Sequence, residues 1–254
     1  MRKIKALSWT TFQELLREKF FVVGIVVALI LVTLSYLLGS LSFDEATRIL
    51  FNLGTLAIEV VTIGLGVFAG SRLVSKEIEL RTCQIILTRP ISRVQFLIGK
   101  WMGLFLFILS VLTGLSILVL ILGGSKFLAW DFLWIVLEIG LKASVVMTVV
   151  FLSSLFLRPV LAAIIGICIY FLGHSVEDIR FFLKKSSPDG EIPPIMGVIE
   201  KVVPRFDLFN WKSYYFIENA LSHKQVALMF SHYIAWTLFL LVVGLISWRK
   251  KDIG

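Results

Sequence analysis

Long apolar runs constrain this chain more than any other feature. An α-helix rises about 1.5 Å per residue and the hydrocarbon core of a bilayer is about 30 Å thick, so a crossing takes about 20 mostly apolar residues. Six segments reach or approach that length: 20–38, 53–73, 101–122, 132–157, 160–172 and 233–248. The fifth is short, with Pro159 at its start and His174 just past its end, and reads as a tilted span or a half-span. Of the 254 residues, 58% are hydrophobic and 17% charged, where soluble domains carry about 25% charged residues. The mean hydropathy of +0.92 agrees. A soluble domain of this size could not bury so much apolar surface, whereas lipid can. The expected fold class is therefore an all-α integral membrane protein, with 1–254 forming one transmembrane domain.

The net charge of +8 would suggest nucleic acid on a soluble chain. Here the basic residues flank apolar runs, so topology and anionic lipid account for them, and no nucleic-acid partner is expected. Arg2, Lys3, Lys5, Arg17 and Lys19 precede the first run. Arg72, Lys76, Arg81, Arg89, Arg93 and Lys100 lie between the second and third, Arg158 between the fourth and fifth, and Arg249, Lys250 and Lys251 after the last. The short connections on the other side carry only Arg48 and Lys126. The positive-inside rule then places both termini in the cytoplasm and the long segment 175–231 outside.

The first run is too long for a signal-peptide core and no clear A-x-A site follows it, so it reads as a retained helix. Before it, Ile4, Leu7, Phe12, Leu15, Leu16 and Phe20 recur at helical spacing with charges between them. That pattern favours an interfacial helix over 1–19, the alternative being a plain extension of the first span. Cys83 falls in a cytoplasmic loop and Cys168 within a span, which argues against a disulfide. His174, His223 and His232 are scattered, no CxxC or HExxH occurs, and no metal site is expected.

The most informative stretch lies between the second and third runs. Leu73, Ile78, Leu80, Ile85 and Leu87 form an apolar stripe through a charged segment, predicting a short amphipathic helix over 75–88. Pro90 ends it, since the residue before proline avoids helical geometry. Ser92 and Gln95 then form a capping box, with Ile91 and Phe96 placed for a hydrophobic staple, and the new helix can run straight into the third span. The result is a stiff elbow over 75–93; the alternative is a solvated loop joining two spans.

The run Glu77-x-Glu79-x-x-Thr82, then Leu87-x-x-Pro90-x-Ser92-Arg93, then Gly99-Lys100, resembles the signature of type-2 ABC transporter permeases, the ABC-2 family. The resemblance extends over nearly the whole chain, including the ending Trp248-Arg-Lys-Lys-Asp-Ile253. One departure is that Arg81 directly precedes Thr82, where the family often has glycine. In the family this segment carries the coupling helix that docks on the ATP-binding subunit. The resemblance implies an ATPase-coupling site of Glu77, Glu79, Thr82, Arg89, Pro90, Ser92 and Arg93, in which Glu77 and Glu79 meet basic residues of the ATPase while Arg89 and Arg93 fix the elbow. It implies a bacterial inner-membrane permease subunit coupling ATP hydrolysis to export of a substrate. It further implies a separate cytoplasmic ABC ATPase that holds ATP and Mg, and a second permease chain in a homo- or heterodimer. Within the family the chain looks most like the branch for maturation of multicopper enzymes, including nitrous-oxide reductase assembly permeases.

No GxxxxGK[ST] phosphate loop occurs. The chain is thus expected to be no enzyme and to hold no cofactor of its own. Three ionisable residues, Glu59, Glu138 and Lys142, fall within spans, each costing about 2.5–3.5 kcal/mol on insertion scales. Glu138 and Lys142 are four apart and can pair on one helix face, with Glu59 sharing the lysine. All three are expected to face the bundle interior or a partner permease, either lining a path or fixing the packing. In the outer segment, helices are expected over 176–185 and 195–203. Phe206, Phe209, Trp211, Tyr214, Tyr215 and Phe216 read as an interfacial aromatic belt, or as a docking surface for an extracytoplasmic partner. Three rival functions remain: mechanical transmission of ATPase motion to such a partner without transport, an intramembrane enzyme, and a membrane scaffold.

Overall fold

In lipid every backbone N–H and C=O must be satisfied within its own segment, so apolar runs of this length become helices. The computed structural model describes residues 2–41, 46–79, 92–123, 130–186, 196–197, 199–200, 203–206 and 223–250. Their order is α1 (Arg2–Arg17), α2 (Lys19–Leu41), α3 (Ala46–Leu73), α4 (Ser75–Glu79), α5 (Arg93–Gly123), α6 (Trp130–Ser153), α7 (Pro159–Ser186) and α8 (His223–Lys250). Six of these, α2, α3 and α5–α8, are long and apolar enough to cross a membrane. The protein is an all-α membrane protein.

Burial separates the helices into two classes. α3 and α6 are covered along most of their length, while α2, α7 and α8 present most of theirs outward. α3 packs on α2, α5, α6 and α7, and α6 packs on α3, α5, α7 and α8, so these two form the centre. Small residues bring their backbones together. Gly66 and Gly70 sit one turn apart on α3, and a Cβ at Gly70 would lie 3.3 Å from the Met147 carbonyl of α6. Such spacing allows close helix contact where lipid gives no hydrophobic drive for association.

α1 and α2 are separate helices that meet at a bend on Glu18, where Glu18 N–H donates to the Leu15 carbonyl and Phe21 N–H to Glu18. α1 lies against the start of α5. Its buried side chains are Ser8, Thr11 and Leu15, opposite Gly99 and Gly103 of α5. A Cβ at Gly103 would stand 2.7 Å from the Ser8 carbonyl and 2.6 Å from Thr11 Cβ. Small residues thus face small residues, and the stripe Ile4, Leu7, Phe12, Leu15, Leu16 is only partly the face used.

The fifth long helix differs from the reading of 160–172. α7 runs unbroken for 28 residues, through His174 and across the segment 176–185 read as a separate outer helix. Apolarity ends near Leu172, but no proline or glycine pair stops the backbone before Ser186. α5 and α8 also exceed their apolar runs, with 31 and 28 residues, whereas α6 ends at Ser153, short of the run 132–157. We call the end of the bundle holding α1, α4, the start of α5 and the end of α8 the basal end, and the opposite one the distal end.

Candidate functional sites at the basal junction and in the buried core

At the basal end α5 begins with the expected capping box. Gln95 N–H donates to Ser92 Oγ at 3.2 Å and Ser92 N–H to Gln95 Oε1 at 3.3 Å. Two otherwise orphaned donors are satisfied reciprocally, which fixes where the rod starts. Three other elements are tied to this start. Lys100, 3% exposed, places its Nζ 2.5 Å from Glu77 Oε1 of α4 and 3.6 Å from Glu14 Oε2 of α1. Arg93 Nη1 donates to the Arg249 carbonyl of α8 at 3.3 Å. Phe96 stacks on Trp248, with centroids 6.2 Å apart and planes at 16°. α4 has two further ties: Ser75 Oγ donates to the Ser154 carbonyl just past α6 at 3.0 Å, and Lys76 Nζ donates to Glu18 Oε1 at 2.8 Å.

The sequence-predicted residues of this region divide accordingly. Glu77 is buried and turned to Lys100 of the same chain. Ser92 caps α5 and Arg93 reaches α8. Glu79 closes α4. Thr82, Arg89 and Pro90, the staple residue Ile91 and the remainder of the helix read over 75–88 lie outside the described residues. The sequence places Lys100 among the topological flanks and at the end of the family-like run, with no partner assigned to it. Its burial depends on Glu14 and Glu77, and neither contact is visible as a local spacing.

Nearer the distal end, the three intramembrane charges come together in the core. Lys142 Nζ lies 2.7 Å from Glu138 Oε1, one turn away on α6, and 3.1 Å from Glu59 Oε1 on α3. Exposures are 4% for Glu59 and 1% each for Glu138 and Lys142. In so dry a site each charge relies on its neighbours in place of water. α7 adds two groups that the sequence reading did not assign. Tyr170 Oη donates to Glu59 Oε1 at 3.1 Å. His174 Nε2 stands 3.4 Å from the same oxygen and completes no hydrogen bond among the described residues. The signal was present in the spacing: Tyr170 and His174 are four residues apart and share a helix face, and their rings meet at 4.8 Å.

A short strap closes this group. Phe206 N–H donates to the Gly173 carbonyl at 3.1 Å, and Arg205 N–H donates to His232 Nε2 of α8 at 3.1 Å. A Cβ at Gly173 would stand 2.7 Å from the Pro204 carbonyl, so only glycine lets the strap lie down. The Phe206 ring is fully buried against Tyr170 and His174, at 6.3 and 5.9 Å. It is therefore a core residue and not part of a headgroup-level belt; the other residues of that aromatic run lie outside the described residues. Chemically the group holds charge and couples three helices.

Residues 8–173 match the family described as ABC-2 family transporter protein. No curated protein matches the chain. The matched stretch covers well over half of the sequence and includes α1 from Ser8 onward, α4, the start of α5 and all three intramembrane charges; the chain belongs to the ABC-2 family of transporter proteins.

Proposed function

We propose that the chain is the permease subunit of an ATP-driven exporter, lying multi-pass in a bacterial inner membrane with both termini and the basal end in the cytoplasm. A separate ATPase binds ATP and Mg, and a second permease chain completes the path. The segment 75–93 receives the ATPase motion. The observation that supports this most is how that segment is rooted. Its first turn is tied to the bend between α1 and α2 through Lys76–Glu18, to the residue after α6 through Ser75, and to α5 through Glu77–Lys100. Its far end starts α5 at a capping box. A push on the residues between these two roots acts on three helices at once. Glu77, held by Lys100, serves as an anchor within the chain, which leaves Glu79, Thr82 and Arg89 for the contact with the ATPase.

The buried group then acts as the lock at the other end of the same helices. Glu59, Glu138, Lys142 and Tyr170 fix α3, α6 and α7 against one another, and a change in their angle must break or re-form these contacts. The resemblance to the multicopper-enzyme maturation branch makes that class of assembly system the first to test. The test of coupling is a cysteine cross-link from Thr82→Cys, in a Cys83→Ser background, to the co-expressed ATPase. A nucleotide-sensitive cross-link is expected. Labelling of that cysteine only from the periplasmic side would overturn the assignment. ATP-dependent substrate movement in reconstituted vesicles then distinguishes export from mechanical transmission to an outer protein.

A further inference from the structure

Two adjoining cavities lie where α1 turns into α2, beside the end of α3. One, of about 580 Å³, is polar and lined by Glu14, Arg17, Glu18, Lys19 and Arg72 among others. The second, of about 370 Å³, is an apolar groove between α2 and α3 whose walls include Val23, Val27, Val60, Gly64 and Phe68. Phe20 and Arg72 line both, so the two are continuous.

The charges of the polar cavity do not cancel. Glu18 is held by Lys76 at 2.8 Å and Glu14 faces Lys100 at 3.6 Å. Arg17, Lys19 and Arg72 are exposed, and among the described residues none of their side chains makes an ion pair or hydrogen bond. Three unpaired cations therefore surround a cavity whose carboxylates are already engaged. The groove below has matching dimensions. From Arg72 to Val60 the helix rises about 18 Å, close to the depth of one leaflet. It stays open at Gly64, where a Cβ would meet nothing within 4 Å.

The geometry points to a binding site for an anionic phospholipid of the basal leaflet, its phosphate among Arg17, Lys19 and Arg72 and one acyl chain in the α2–α3 groove. Each cation near an anionic headgroup contributes roughly 1 kcal/mol, or about fivefold in affinity. The site would make the bend between α1 and α2, and so the root of α4, sensitive to membrane charge.

The experiment is native mass spectrometry of the purified full-length chain, titrated with phosphatidylglycerol or with phosphatidylcholine of the same acyl chains. Phosphatidylglycerol is expected to bind at least tenfold more tightly. The triple variant Arg17→Gln, Lys19→Gln, Arg72→Gln should lose on the order of a hundredfold of that affinity. Gly64→Leu fills open space without touching the cations, and should weaken both lipids. Soluble glycerol phosphate at millimolar concentration should not compete. The inference is overturned if the two lipids bind alike, if neither variant changes phosphatidylglycerol binding, or if glycerol phosphate displaces it. Equal loss of lipid on dimerisation, showing that a second copy fills the groove, would overturn it too.

Discussion

Replacing Lys142 by methionine is the sharpest test of the buried group. The side chain keeps nearly the same length, so packing on α6 changes little while the charge is lost. Coulomb's law at an effective dielectric of about 20 assigns roughly 6 kcal/mol of attraction to the 2.7 Å contact with Glu138 and roughly 5 kcal/mol to the 3.1 Å contact with Glu59. Part of that offsets the desolvation of the three ions and the repulsion of the two carboxylates. What remains when one partner of a buried pair is removed is about 3–5 kcal/mol. At roughly 2–4 °C per kcal/mol for a chain of this size, the unfolding midpoint should fall by on the order of 10 °C. The assay is thermal unfolding in detergent, followed by loss of the monodisperse peak in size-exclusion chromatography. Adding Glu59→Gln and Glu138→Gln to Lys142→Met removes the stranded charges, and more than half of the loss should return, because a neutral core need not be less stable than an ionic one. A single variant within 2 °C of the parent would refute the reasoning, as would a triple variant no better than the single one.

Four further outcomes are expected. Gly103→Leu drives a side chain into the Ser8 carbonyl and Thr11, costing about 1–3 kcal/mol; α1 should lift from α5, seen as faster tryptic cleavage at Arg17. Trp248→Phe keeps the stack on Phe96 and removes an indole N–H that has no acceptor among the described residues, so its unfolding midpoint should exceed that of Trp248→Ala, which loses about 3–5 kcal/mol. Lys100→Met strands the buried Glu77; the ATPase should still co-purify while nucleotide no longer changes the cross-link at position 82. Phe206→Ala opens the strap, so a cysteine at position 174 should react with a membrane-impermeant maleimide at least tenfold faster, and only from the periplasmic side.

Much of this architecture was legible in the sequence, because lipid as a solvent makes helix formation a local matter. Six apolar runs needed no tertiary partner to become helices. The Ser92–Gln95 box and the Glu138–Lys142 pair span three and four residues, so helical geometry alone brings them together. Where local hydropathy stood in for backbone continuity, the reading failed. α7 was cut at His174 because apolarity ends there, yet a helix stops where its backbone is interrupted, and nothing interrupts it before Ser186. His174 itself was set aside as an isolated polar residue, and only the packing of α7 on α3 brings it to Glu59. Tertiary structure alone decided which of several possible partners each buried charge received. Glu59 meets Lys142 across 83 positions of sequence, because glycines on α3 let it approach α6. Lys100 is buried between Glu14 and Glu77 because α1 folds back onto Gly99 and Gly103. The sequence by itself determined the helices and their capping; the positions at which their backbones approach most closely determined which charges meet, since a charge in lipid survives only beside whatever partner the packing supplies.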